Sequence, residues 1–127
     1  MKLFGEEDYD TLLAASNYAS SLKFLEQFEE ARSVLRKLIP VARRALGEGH
    51  RLTLKIRWNY AQTLCYDPSS TLDELHEAVA TFEEIERTVR RVYGGAHPLL
   101  VNIENTLRES RMALAAREGT PPGNARP

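Results

Sequence analysis

Cysteine is almost missing from this chain. The one thiol, Cys65, has no partner for an intramolecular disulfide, which excludes a disulfide scaffold and fits a reducing, cytoplasmic setting. Glycine and proline together supply 13 of 127 residues, too few for a collagenous or low-complexity chain. No apolar run approaches the roughly 18 residues that a membrane-spanning helix needs. The opening stretch, Met1-Lys2-Leu3-Phe4-Gly5-Glu6-Glu7-Asp8, turns acidic at once and reads as neither a signal peptide nor a transit peptide. Charge of one sign is lacking too. Basic and acidic residues number 17 and 18, for a net charge of −1, so no global field draws the chain to nucleic acid or anionic lipid. What is present is 43% hydrophobic and 28% charged residues, the make-up of one helix-leaning globular domain.

Self-comparison reveals a repeat. Asn17-Tyr18-Ala19 recurs as Asn59-Tyr60-Ala61, with Thr11-Leu12 matching Thr53-Leu54 and Leu22 matching Leu64, all at an offset of 42. A second register has an offset of 47: Glu30-Ala31 matches Glu77-Ala78, and Leu46-Gly47-Glu48-Gly49-His50 matches Tyr93-Gly94-Gly95-Ala96-His97. The extra five residues fall in a longer turn over 65–72, around Asp67-Pro68-Ser69-Ser70. The unit therefore occurs twice, and its first half begins again after His97.

Each unit reads as two helices. Ile56, Tyr60, Ala61 and Leu64 recur at helical spacing, as do Leu72, Leu75, Val79, Phe82, Ile85 and Val89. Thr71-Leu72-Asp73-Glu74 is a capping-box pattern, Gly47 and Gly94 fit the left-handed residue that ends a helix, and Pro98 fits a first turn. Helices are expected near 8–25, 28–46, 51–66, 71–93 and 98–117. Pro40 should kink the second by removing a bond to the carbonyl of Arg36. The organisation expected is an N-terminal segment 1–7, repeats over 8–50 and 51–97, a capping helix 98–117 and a disordered tail 118–127. Ala19 with Ala31, and Ala61 with Ala78, are small residues suited to close helix crossings. In the third copy Arg108 stands opposite Ala61 and Arg111 opposite Leu64, so no second helix should pack there.

The period, the Asn-Tyr-Ala motifs (17–19 and 59–61), Ala31 and Ala78, and the links ending at His50 and His97-Pro98 together resemble the tetratricopeptide repeats of kinesin light chains and their relatives. The family link reads Leu-Gly-x-x-His-Pro, from which Arg51 departs and to which Pro98 conforms. The resemblance spans roughly 9–117. It implies an all-α fold, with antiparallel helix pairs stacked as a short right-handed solenoid of about five helices. It also implies a concave groove, lined by the first helix of each pair, that binds extended peptides.

Candidates for catalysis are few. His50 and His97 occupy equivalent turn positions one repeat apart, and His76 reads as solvated, so no metal-ligand set converges. Gly47-Glu48-Gly49 lacks the third glycine and preceding strand of a nucleotide loop. Cys65 reads as a packing residue, and Ser69, Ser70 and Thr71 as a turn and cap rather than phosphorylation sites. Glu29, Glu30, Asp73, Glu74 and Glu77 near helix starts, and Arg43, Arg44, Arg90 and Arg91 near helix ends, complement the helix dipoles. No catalytic, metal or cofactor site emerges.

The groove asparagines implied by the resemblance are Asn17 and Asn59, whose amides offer donor and acceptor to a peptide backbone. Further groove candidates are Leu13, Ser16, Ser20 and Lys23 in the first copy. The second copy offers Lys55, Trp58, Gln62 and Tyr66, and the third Asn102, Asn105 and Glu109. Trp58 suits either a peptide-stacking anchor or the core. Lys55 and Asn59 match one arm of the carboxylate clamp known in some tetratricopeptide domains, while Leu13, Asn102 and Thr106 do not match the remainder. The function expected is a non-catalytic interaction module for a protein or peptide partner, with no nucleic acid or membrane. The alternative is a self-associating module that builds a homo-oligomer.

Overall fold

A computed structural model describes residues 9–119 as five α-helices: α1 (Tyr9–Phe24), α2 (Phe28–Leu46), α3 (Arg51–Tyr66), α4 (Leu72–Tyr93) and α5 (Leu99–Glu118). Each helix packs on the next in sequence, and α1 also touches α3. The chain is thus an all-α stack of adjacent helix pairs, with no strand among the described residues. The expected segment 1–7, and the tail from 120 onward, lie outside the described residues. Residue 118 differs from expectation: Glu118 completes α5, and Gly119 caps it with φ 81° and ψ 11°.

The core is the layer between successive helices. Leu12, Ile56, Leu64 and Phe82 are fully buried within it, as are Ala19, Ala31, Ala61 and Ala78. Alanine at these four places lets helices approach where a longer side chain would hold them apart. On α5 the matching positions carry Arg108 and Arg111, both exposed, and no sixth helix covers them among the described residues. Arg111 instead reaches Glu83 of α4 at 2.9 Å, and Arg108 reaches Asn105 at 2.8 Å. Helix α2 runs without interruption through Pro40, whose ring lies on the exposed side.

The link after each pair is one device used twice. Gly47 (φ 96°, ψ 160°) and Gly94 (φ 92°, ψ 159°) end α2 and α4, their amides donating to Arg43 O and Arg90 O. The positive φ matches expectation, but ψ near 160° is not the left-handed helical value. This region is essentially closed to any residue with a Cβ. Three residues later the Nδ1 atoms of His50 and His97 accept from the amides of Leu52 and Leu99, at 3.0 and 3.1 Å. Each imidazole thereby satisfies a free N–H of the next helix, which places its proton on Nε2. Pro98, already at φ −57° and ψ −27°, leads directly into α5. The expected box at α4 is complete, with Thr71 Oγ1 accepting from Glu74 N at 3.1 Å and Glu74 Oε1 from Thr71 N at 2.8 Å. A Cβ added at Gly47 or Gly94 meets nothing within 4 Å, so the cost of alanine there is purely conformational. Gly47→Ala and Gly94→Ala should each destabilise the fold by about 1–3 kcal/mol, additively in the double variant, as read by thermal unfolding.

Candidate functional site

Helices α1, α3 and α5 line a groove of about 600 Å³, to which α4 adds Ile85 and Val89. Its floor is apolar: Leu13 from α1, Leu52 and Trp58 from α3, and Leu99 and Ile103 from α5. Arg51 and Lys55, four apart and therefore one turn apart on α3, line it as exposed cations. Asn102 and Asn105 supply amides from α5. No carboxylate lines the groove, and neither cation has an ion-pair partner among the described residues. Trp58 belongs to both environments. Its ring is half-buried and edge-on to Phe82, with centroids 5.2 Å apart and planes at 72°, while it also lines the groove.

Of the residues picked out from the sequence, Leu13, Lys55, Trp58, Asn102 and Asn105 meet in this groove. Ser20, Lys23, Asn59, Gln62 and Tyr66 form a second, self-contained cluster where α1 crosses α3. Lys23 Nζ donates to Asn59 Oδ1 at 3.2 Å and to Gln62 Oε1 at 2.6 Å, and sits 5.9 Å from the centre of the Tyr66 ring. Asn59 Nδ2 donates to Ser20 Oγ at 2.9 Å, and Gln62 Nε2 to Tyr66 OH at 3.5 Å. Asn59 is only 6% exposed, and both ends of its amide are engaged within the protein. The amide expected to meet a peptide backbone therefore joins α3 to α1, and the Lys55–Asn59 clamp arm loses its second member. Desolvation lowers the pKa of Lys23, which has only neutral oxygens and a ring around it.

Asn17 and Glu109 are exposed and line neither feature. Ser16 is fully buried, with no partner for its hydroxyl, so it faces the core rather than the groove. Ser16 stands where the second copy has Trp58, and only the longer side chain spans from core to groove. Residues not picked out are Tyr9 and Arg51, at helix starts, and Leu99 and Ile103. The spacing Leu99, Asn102, Ile103, Thr106 was the available signal for the α5 wall.

The remaining chemistry-bearing side chains are in structural settings. Burial pushes the Cys65 thiol up to about 11, away from the thiolate a nucleophile needs. His76 is exposed, with Nε2 3.1 Å from Glu118. Ser70 is buried and donates to Leu64 O at 2.6 Å, while Ser69 donates through N and Oγ to Asp67 Oδ1 at 2.9 and 2.7 Å. Among the described residues no group of three or more His, Cys, Asp or Glu side chains is placed to hold a metal, and no helix is long and apolar enough to cross a membrane. No protein-family model, curated protein or solved structure matches the chain.

Proposed function

We propose that this chain is a non-catalytic, tetratricopeptide-like interaction module of the kinesin light chain type. Its α1–α3–α5 groove takes an extended peptide or partner helix. The observation that carries the reading is the groove itself, an apolar floor centred on Trp58 with Arg51 and Lys55 beside it and no carboxylate in its lining. Such a surface selects a ligand with apolar side chains flanked by aspartate or glutamate, since base on base costs several kcal/mol and acid on base steers encounter. The engaged Asn59 amide and the fully buried alanines at the helix crossings act as scaffold. The lone thiol, held protonated by burial, suits a reducing, cytosolic compartment.

Trp58 is the only tryptophan, so its emission reports groove occupancy directly. Titration with an acidic–apolar peptide should shift that emission, and Arg51→Glu/Lys55→Glu should weaken binding by about tenfold or more at low salt. The gap should narrow as salt is raised. Equal binding of an acidic peptide and its lysine-substituted counterpart would refute the charge selectivity, and retention by the double variant would refute the groove.

A further inference from the structure

One side of α1 is built like an interior, yet no described residue covers it. On α3 the stripe Ile56, Asn59, Tyr60 and Thr63 is at most 6% exposed. Asn59 meets Ser20 and Lys23 of the preceding pair, and Tyr60 meets Arg36. Forty-two residues earlier the same positions are Ala14, Asn17, Tyr18 and Ser21, and all four are exposed. The edge of this stripe is already assembled. Tyr18 OH donates to Glu30 Oε2 at 3.1 Å, as Tyr60 OH donates to the equivalent Glu77 Oε2 at 2.9 Å.

What the first copy lacks is the cation. Arg36 Nε donates to Tyr60 OH at 3.0 Å, and its guanidinium carbon lies 5.7 Å from the ring centre. No described residue supplies this to Tyr18. Glu30 is exposed with no basic partner among the described residues, and so are Glu26 and Glu29, close to it along the chain. The second copy also fixes the direction of approach. Thr53 meets Ala42, Tyr60 meets Arg36 and Asp67 meets Arg32, so α2 runs antiparallel to α3. In the first copy Asp67 is replaced by Leu25, which is 63% exposed, so an apolar residue is wanted where α2 has Arg32.

We propose that the α1 stripe, with the Tyr18–Glu30 pair at its edge, docks an amphipathic helix of another polypeptide. That helix runs antiparallel to α1, places an arginine on Tyr18 and Glu30, and sets an apolar side chain on Leu25. A second copy of this chain is a poor occupant. Two such faces would meet acid to acid, and α4, the other helix of the α2 kind among the described residues, carries Glu83 at the position of Arg36. The inference rests on the stacked fold and is independent of the groove.

The probe is a synthetic peptide of residues 28–46 carrying Arg32→Leu, titrated calorimetrically into the full chain. It should bind one to one, and Trp58→Ala in the chain should leave that binding unchanged. Arg36→Gln in the peptide, or Tyr18→Ala in the chain, should each weaken binding by about tenfold, the loss of a hydrogen bond to a charged group. Glu30→Lys should abolish binding to the probe and restore it to a peptide carrying Arg36→Glu. Absence of binding, or equal affinity for the Arg36→Gln peptide, overturns the proposal. So does a mass that grows with concentration for the chain alone and returns to monomer with Glu30→Lys, which would assign the face to a second copy.

Discussion

Phe82→Ala should lower the unfolding free energy by about 3–5 kcal/mol, the range for emptying a fully buried aromatic site. Phe82 is 0% exposed at the centre of α4 and meets Trp58 in a T-shaped contact across the α3–α4 crossing. A domain of this size is stabilised by about 5–15 kcal/mol, so the loss is a large share of the whole. Urea unfolding followed by Trp58 emission measures it, because the reporter and the cavity are in contact. Folded variant should also emit further to the red than wild type, since the indole loses an apolar neighbour. Phe82→Leu refills most of the volume and should lose far less. An unchanged urea midpoint for Phe82→Ala would contradict this account of the core. The same variant couples stability to the groove: Trp58 is held in place from behind by Phe82, so peptide affinity should fall along with stability.

Periodicity made the helices legible because local signals and tertiary packing agree in them. The apolar spacing of α4, the Thr71–Glu74 box and the paired Gly47 and Gly94 links all lie within a few residues of the backbone groups they satisfy. His50 and His97 were legible as a pair for the same reason, each reaching an amide two residues ahead. The groove was legible in part. Lys55, Trp58, Asn102 and Asn105 follow from the repeat register, whereas Tyr9 and Arg51 sit at helix starts, where the apolar period has barely begun.

Other features depend on neighbours that a repeat cannot encode. Asn17 and Asn59 are the same residue at the same position, yet one is exposed and the other is locked between Ser20 and Lys23. The difference is the helix pair in front of Asn59, not the residue. The acidic residues at helix starts likewise read as dipole complements, but Glu74 also closes an ion cluster with Arg32 and Asp67, partners 42 and 35 residues from the arginine. No spacing rule reaches that far.

That cluster gives the second large expected effect. Arg32 Nη1 donates to Glu74 Oε2 at 2.6 Å and Nη2 to Asp67 Oδ2, with the three side chains 15%, 21% and 8% exposed. Arg32 thus joins the first helix pair to the turn of the second. Arg32→Ala strands a nearly buried Asp67 with only Ser69 as partner, which should cost about 3 kcal/mol. Burial alone would raise the Asp67 pKa, but the Ser69 hydroxyl and amide together with Arg32 outweigh it and hold the carboxyl below its ordinary value. Glu74 is held down first by the Thr71 amide, against some desolvation, and then by Arg32, the Thr71 hydroxyl and Arg36. A depressed carboxyl stabilises the fold fully above its unfolded value of about 4 and loses that contribution as pH falls through the folded value. Wild type should therefore lose the contribution of these two groups below about pH 4. Arg32→Ala removes only the arginine's share, because Ser69 and Thr71 still hold the two carboxyls down. It has that much less to lose on acidification, so the gap in urea midpoint between the two proteins should be widest near pH 7 and shrink towards pH 3. Arg32→Lys should recover only part of the neutral-pH loss, because a single ammonium cannot fork between Asp67 and Glu74. A gap of the same size at pH 3 would show that the arginine stem, rather than its charge, ties the two repeats together.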